Sequence, residues 1–141
     1  MGAAINLALD EMEAQKQAYK SAGLEYYRPW LFVLSDGDPT DAAVFSSAAT
    51  RLKEAEAANG VSVFAVGVGP NANLVKLKEL SARRDPVKLD GLKFREFFHW
   101  LSASLSAASQ SGAHGDDDWA IAGKDATEQI ALPTPAGWVV A

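Results

Sequence analysis

Between Trp30 and Asp41 the chain reads WLFVLSDGDPTD, and four of the last six residues, Asp36, Asp38, Thr40 and Asp41, carry oxygen donors. Carboxylate and hydroxyl oxygens crowded in this way suit a hard cation such as Mg²⁺, Mn²⁺ or Ca²⁺. They also suit plain turn and cap duty, since Asp and Thr are common in both places. Asp41 stands where the N-cap of a following helix belongs, and capping is the expectation for it. Asp36 ends an apolar run, where a carboxylate loses hydration unless a partner compensates it. An EF-hand is excluded: counted from Asp36, its sixth and twelfth positions are Asp41 and Ser47, not Gly and Glu.

Other residues able to do chemistry are sparse. Gly67, Gly69 and Asn71 hint at a phosphate loop, but G-x-G-x-x-G needs glycine where Ala72 stands, so a tight strand-to-helix turn is expected. Ser35 has no His and Asp set to build a hydrolase triad. His99, among Phe97, Phe98 and Trp100, reads as an edge-of-core residue, and the other histidine, His114, is far away in sequence. Residues 76–96 hold seven bases against four acids, and residues 110–141 five acids against one base. A solvated face is the expectation for that basic stretch; docking of an acidic partner, or of the chain's own tail, is the alternative.

The elements that must position these residues follow from periodicity. Ile5, Ala8, Leu9, Met12 and Tyr19 recur at three- and four-residue steps and predict a helix from Ala3 to Tyr19, stopped by Gly23. Met1 and Gly2 lead into it with no Ser, Thr, Asp or Asn as a cap. Trp30–Ser35 and Val61–Val68 are short, unbroken apolar runs, the pattern of strands buried on both faces of a parallel sheet. Val44, Phe45, Ala48, Leu52 and Ala55 mark a helix between them, closed by Asn59-Gly60. A short helix capped by Asn73 runs to Leu80, and Val87–Leu89 is a third strand. A helix over Leu92–Ser109 carries Phe94, Phe97, Phe98, Leu101 and Leu105 as its apolar stripe.

This alternation predicts an α/β fold with a mostly parallel sheet. Ligands of such sheets sit beyond the carboxyl ends of the strands, which selects the loops 36–41 and 69–73. Residues 1–109 form the domain and residues 110–118 (QSGAHGDDD) a linker. Residues 119–141, with Trp119, Ile121, Ile130, Leu132 and Trp138, form an extended tail packing on the domain.

Composition narrows the functional classes. The 141 residues are 48% hydrophobic and 22% charged, which supports a packed core. Cysteine is absent, removing thiol catalysis, disulfides and thiolate metal sites, and suiting a cytoplasmic protein. A net charge of −5 disfavours duplex nucleic acid as a partner. No apolar run approaches the ~18 residues of a membrane span, and the acids at Asp10, Glu11 and Glu13 do not suit a signal peptide.

Two family resemblances converge on the first loop. The segment DGDPT after an apolar strand is similar to the D-x-D-x-[TV] motif of haloacid-dehalogenase-type phosphatases, which implies Asp36 as nucleophile and Asp38 as acid–base. That family's later Lys and acidic pair have no counterpart here: the second strand ends in VGVGPNAN, and Asp116, Asp117 and Asp118 follow a linker. Leu34-Ser35-Asp36-Gly37 resembles the [TS]-D-G strand end of the von Willebrand factor type A domain, and VFAVGVG resembles that fold's fifth strand. At greater length, YYRPWLFVLSDGDPTD, KLDGLKFREFFHWLSASLSA and LPTPAGW look like the TerY-like cytosolic proteins of tellurite-resistance and stress operons. The resemblance covers nearly all of the chain apart from residues 110–118.

The second resemblance implies a Rossmann-like fold, present as its C-terminal portion without the N-terminal strands. It implies a non-enzymatic, divalent-cation-dependent protein-binding module, whose metal accepts a carboxylate from the partner protein. Asp36 is the implied metal ligand, with Asp38 and Thr40 at the rim or behind it. The family's D-x-S-x-S motif and its separate Thr are not in this sequence, so Mg²⁺ (or Mn²⁺ or Ca²⁺) is expected only with those further ligands. Met1 then reads as an internal methionine or the start of a truncated gene. The strand Trp30–Ser35, without its family neighbour, is expected to be an open edge prone to pairing, including edge-strand dimers.

Overall fold

The computed structural model describes residues 1–110, 119–121, 130–133, 135 and 137–140. Three strands, β1 (Trp30–Ser35), β2 (Ser62–Gly67) and β3 (Val87–Lys88), form a parallel sheet in the order β1–β2–β3. The β1–β2 register runs from Trp30 opposite Ser62 to Ser35 opposite Gly67. Helices α1 (Gly2–Ser21) and α2 (Ala42–Ala57) cover one face. Helix α3 (Leu74–Leu77) and the 3₁₀ turn Lys78–Leu80 add Leu77 and Leu80 to the same core. Helix α4 (Phe94–Gln110) covers the other face. The α/β fold with a parallel sheet is therefore as expected. β1 lies on the sheet's outer side with all six residues half-buried, whereas β2 between its neighbours is fully buried.

Alternate side chains of β1 serve the two cores. Leu31 and Val33 pack toward α1 and α2, while Trp30, Phe32 and Leu34 pack toward α4. Phe32 stacks on Phe64 of β2 at 4.6 Å between ring centroids and meets Phe97 of α4 edge-on at 5.7 Å. Helix stops follow the turn chemistry. Gly23 is left-handed (φ 68°), with Leu24 N–H donating to Tyr19 C=O, and Asn59 (φ 58°) does the same duty for α2.

Three expectations are corrected. The buried stripe of α4 is Phe97, Trp100 and Ser104, so Phe98 (55% exposed) and Leu105 (52%) fall outside it. His99 is exposed rather than at the edge of the core. In the basic stretch, expected to be a solvated face, Arg84 is instead buried against Glu56, while Lys76 pairs with Glu79, Lys78 with Asp85 and Lys93 with Asp90 along the surface. The tail contributes a short parallel pair, β4 (Trp119–Ile121) with β5 (Ile130–Leu132), which sequence patterning did not suggest. Leu132 and Trp138 are buried in the α4-side core, Trp138 completely. The linker residues 111–118 lie outside the described residues.

The uncapped start of α1 is capped from a distance. Asp41 Oδ1 accepts from the Met1 ammonium (3.0 Å) and the Gly2 N–H (3.1 Å), and its Oδ2 from the Ala3 N–H (3.0 Å). Its side chain makes no cap bond to α2, so the expected role is right and the helix is a different one. Gly2 permits the approach, because a Cβ there would lie 2.4 Å from the Phe45 backbone nitrogen. The Ala3 and Gly2 amides and the Met1 ammonium hold the Asp41 carboxyl well below the usual carboxylate range. A depressed carboxyl stabilises the fold above its unfolded pKa and loses that contribution as pH falls toward its folded one. Asp41→Asn is thus expected to lower Tm by a few degrees at neutral pH. The gap to the unsubstituted chain should close as pH drops below about 4, which thermal melts at several pH values would check.

A second cross-link is fully buried. Glu56 of α2 is completely inaccessible; its carboxylate accepts from Ser81 Oγ (2.8 and 3.0 Å), the Ala82 N–H (3.1 Å) and Arg84 Nη1 (2.7 Å). Arg84, itself 8% exposed, lies over the Phe64 ring at 4.8 Å. The ion pair fastens the segment before β3 beneath the sheet. Removing one buried partner strands the other charge, so Glu56→Ala is expected to cost about 3–5 kcal/mol in urea unfolding. Ser81→Ala should cost only about 1–3 kcal/mol, because Arg84 keeps its counter-charge.

Candidate functional site

The two loops picked out by the topology meet at the carboxyl end of the sheet. Asp36 leaves β1 and is exposed. Gly37 turns the chain with φ 85°, and a Cβ on it would come 2.5 Å from the Asn73 carbonyl. Only glycine meets both demands, a left-handed backbone and a close neighbour. Asn73, from the second loop, closes the junction: its N–H donates to the Asp36 carbonyl at 2.7 Å and its Nδ2 to Asp38 Oδ1 at 3.4 Å. The same side chain caps α3 by accepting from Lys76 N–H at 3.0 Å, as the sequence led one to expect.

The Asp36 carboxylate is oriented by its neighbours. Its Oδ1 accepts from the Asp38 N–H at 3.1 Å and from Ser35 Oγ at 3.4 Å; Ser35 Oγ in turn accepts from the Gly37 N–H at 3.1 Å. These are short-range turn bonds that hold the carboxylate outward. Thr40 is exposed and, with Ser35 and Asp38, lines one end of a groove beside β1. Of the four oxygen donors singled out in this loop, Asp36 and Asp38 therefore share a site. Thr40 borders it, and Asp41 is engaged at α1. Asn73 as a clamp between the loops was not legible in the sequence; Asn following Pro70 and Asn71 in a turn looked only like a helix cap.

The chemistry open to this site is limited. Among the described residues, no group of three or more His, Asp or Glu side chains is gathered closely enough to hold a metal ion. Asp36, Asp38 and the Ser35 and Thr40 hydroxyls offer part of an oxygen shell, so the residues present do not by themselves fit a resident divalent cation. The phosphatase reading finds no support for the same reason: among the described residues, no further acidic group joins its two Asp residues to complete a cation site. The second loop is a turn into α3. Gly67 is a packing glycine there, since a Cβ would sit 2.6 Å from Leu74 Cδ2.

No curated protein and no solved structure gives a match to the chain. The sequence profile of the von Willebrand factor type A domain matches residues 1–94. That match spans the whole three-stranded sheet and both loops at its carboxyl end, and the chain belongs to the von Willebrand factor type A domain family.

Proposed function

We propose that the chain is a non-enzymatic protein-binding module that meets its partner at the carboxyl end of the sheet, with Asp36 at the centre of contact. The family is one of interaction modules that usually work through a divalent metal. The observation that carries the reading is the posture of Asp36: exposed, at the end of an apolar strand, aimed outward by Ser35, Gly37 and Asp38, and locked from behind by Asn73. Asp38 and Thr40 form the rim. Mg²⁺, Mn²⁺ or Ca²⁺ would be held at Asp36 only together with oxygen ligands that these residues do not supply. The partner is a protein that offers a carboxylate. The likeness of the long segments to TerY-like proteins supports a cytoplasmic role in tellurite or stress resistance. No described helix is long and apolar enough to cross a membrane, and the net charge of −5 argues against nucleic acid as the partner.

Titrating Mn²⁺ into the isotope-labelled chain tests the assignment of Asp36. The expected result is weak binding, with paramagnetic broadening first at the amides of Asp36–Asp38 and Asn73, and its loss in Asp36→Asn. Broadening centred elsewhere would overturn the assignment, and a site of micromolar affinity would overturn the partial-shell argument. Because Asp36, Asp38 and their neighbouring hydroxyls offer only part of an oxygen shell, a chelator is expected to leave Tm unchanged. Turnover of p-nitrophenyl phosphate with Mg²⁺, abolished by Asp36→Asn, would replace the binding module with an enzyme; none is expected.

A further inference from the structure

The carboxyl end of α2 carries the dipeptide Asn59-Gly60. The helix closes in a Schellman turn. The Asn59 N–H donates to the Glu56 carbonyl at 3.0 Å and the Gly60 N–H to the Ala55 carbonyl at 2.8 Å, with Asn59 left-handed at φ 58°. Apart from glycine, asparagine is among the few residues that take up that conformation readily. Gly60 follows it for a different reason: a Cβ there would lie 3.1 Å from the Ala55 carbonyl oxygen and 3.3 Å from Lys16 Nζ. Lys16 Nζ donates to the Gly60 carbonyl at 2.7 Å and so ties α1 to the end of α2. From the segment before β3, Arg83 Nη2 donates to Asn59 Oδ1 at 3.0 Å. Turn geometry and close packing thus place side by side the two residues most open to spontaneous deamidation.

We propose that Asn59 is a site of non-enzymatic deamidation and that the turn closing α2 sets its rate. The Gly60 backbone nitrogen gives its proton to solvent base and attacks Asn59 Cγ. The N–Cγ bond forms, the Cγ–Nδ2 bond breaks, and ammonia leaves behind a cyclic succinimide. Water then opens the ring at either carbonyl to give aspartate or isoaspartate. In sum a water is consumed and an ammonia released, with no change of oxidation state. Gly60 has no side chain to shield its nitrogen, unlike Leu7, Ala72 and Leu74, which follow the other asparagines, Asn6, Asn71 and Asn73. Asn59 is exposed, so base and water reach it.

The closed turn holds the reaction back. Its Gly60 N–H is engaged by the Ala55 carbonyl, so the nitrogen is turned over the helix and not toward Asn59 Cγ. Attack requires the last turn of α2 to open, and helix ends open at far lower cost than a core does. Arg83 then favours the attack, because a donor on Oδ1 stabilises the negative charge that develops there. The two products differ in what they do to the fold. Aspartate at position 59 leaves the main chain unchanged, tolerates the left-handed turn and has Arg83 beside its carboxylate. Isoaspartate routes the main chain through Cγ and lengthens it, which takes Gly60 away from Ala55 and from Lys16 together. This junction lies at the opposite end of α2 from Asp41 and does not rest on the function proposed above.

Ageing the whole chain in warm neutral buffer, with and without urea, tests this by peptide mass mapping and enzymatic labelling of isoaspartate. Conversion is expected at Asn59 ahead of the other asparagines, and roughly tenfold or more faster in urea than in the folded chain. Lys16→Met keeps the apolar stem and removes the tie to Gly60. It should speed conversion of the folded chain several-fold and leave the rate in urea unchanged. The isoaspartyl fraction, isolated by chromatography, should melt a few degrees lower, and Asn59→Asp, which adds the charge without the longer main chain, should fall less. An Asn59 that stays intact, or conversion spread evenly over all four asparagines, would overturn the site. Equal rates with and without urea, or a folded-state rate unmoved by Lys16→Met, would overturn control by the turn. An isoaspartyl fraction that melts with Asn59→Asp would overturn the structural consequence.

Discussion

The parallel pairing of β1 with β2 is the constraint on which the remaining structure depends. A parallel strand has both faces apolar and tolerates water on neither. β1 and β2 therefore call for a helical layer above and another below, and the stack of Phe32 on Phe64 shows how tightly the pair is built. α1 and α2 answer on one side, α4 with Trp138 on the other. The pair also sets where the loops emerge. Because Ser35 and Gly67 end their strands in register, the residues that follow, Asp36–Gly37 and Val68–Asn73, leave the sheet side by side. The Asn73 bonds to Asp36 and Asp38 are the consequence of that shared exit.

The two acids that open and close the first loop illustrate how neighbours decide roles. Asp36 and Asp41 are both loop carboxylates at the same end of the sheet. Asp41 meets the first turn of α1, where free N–H groups and a terminal ammonium converge, and its charge is fully employed in holding that helix to α2. Asp36 meets only the turn it belongs to, so its carboxylate stays outward and available. Binding capacity in this loop follows from what each carboxylate is spared, not from the number of acids present.

What the sequence made legible divides along the same line. Element order, the parallel sheet, the Asn73 cap and the left-handed helix stops all follow from local periodicity or turn chemistry, which a short window of residues contains. The features that escaped depend on tertiary placement. Asp41 carried a recognisable cap signal, but nothing local says that the helix it caps begins 39 residues earlier at Gly2. On α4, Phe94, Phe97, Phe98, Trp100, Leu101 and Leu105 span so much of the circumference that periodicity fixes a broad face and not the buried line within it. The arrival of Trp138 beside Phe97 and Trp100 selects that line. Arg84 read as part of a solvated basic face because its partnership with Glu56 crosses 28 residues.

The groove beside β1 bears on the surroundings of the loop site. The residues at the mouth of the β1 groove, Ser35, Asp38 and Thr40, are also the rim of the Asp36 site. Whatever strand lies along β1 ends or begins beside that rim and brings its own polar groups within reach of Asp36. An oxygen shell for a cation at Asp36 cannot be filled from β1 and its loop alone, and the nearest place from which another backbone could contribute is the uncovered side of the same strand.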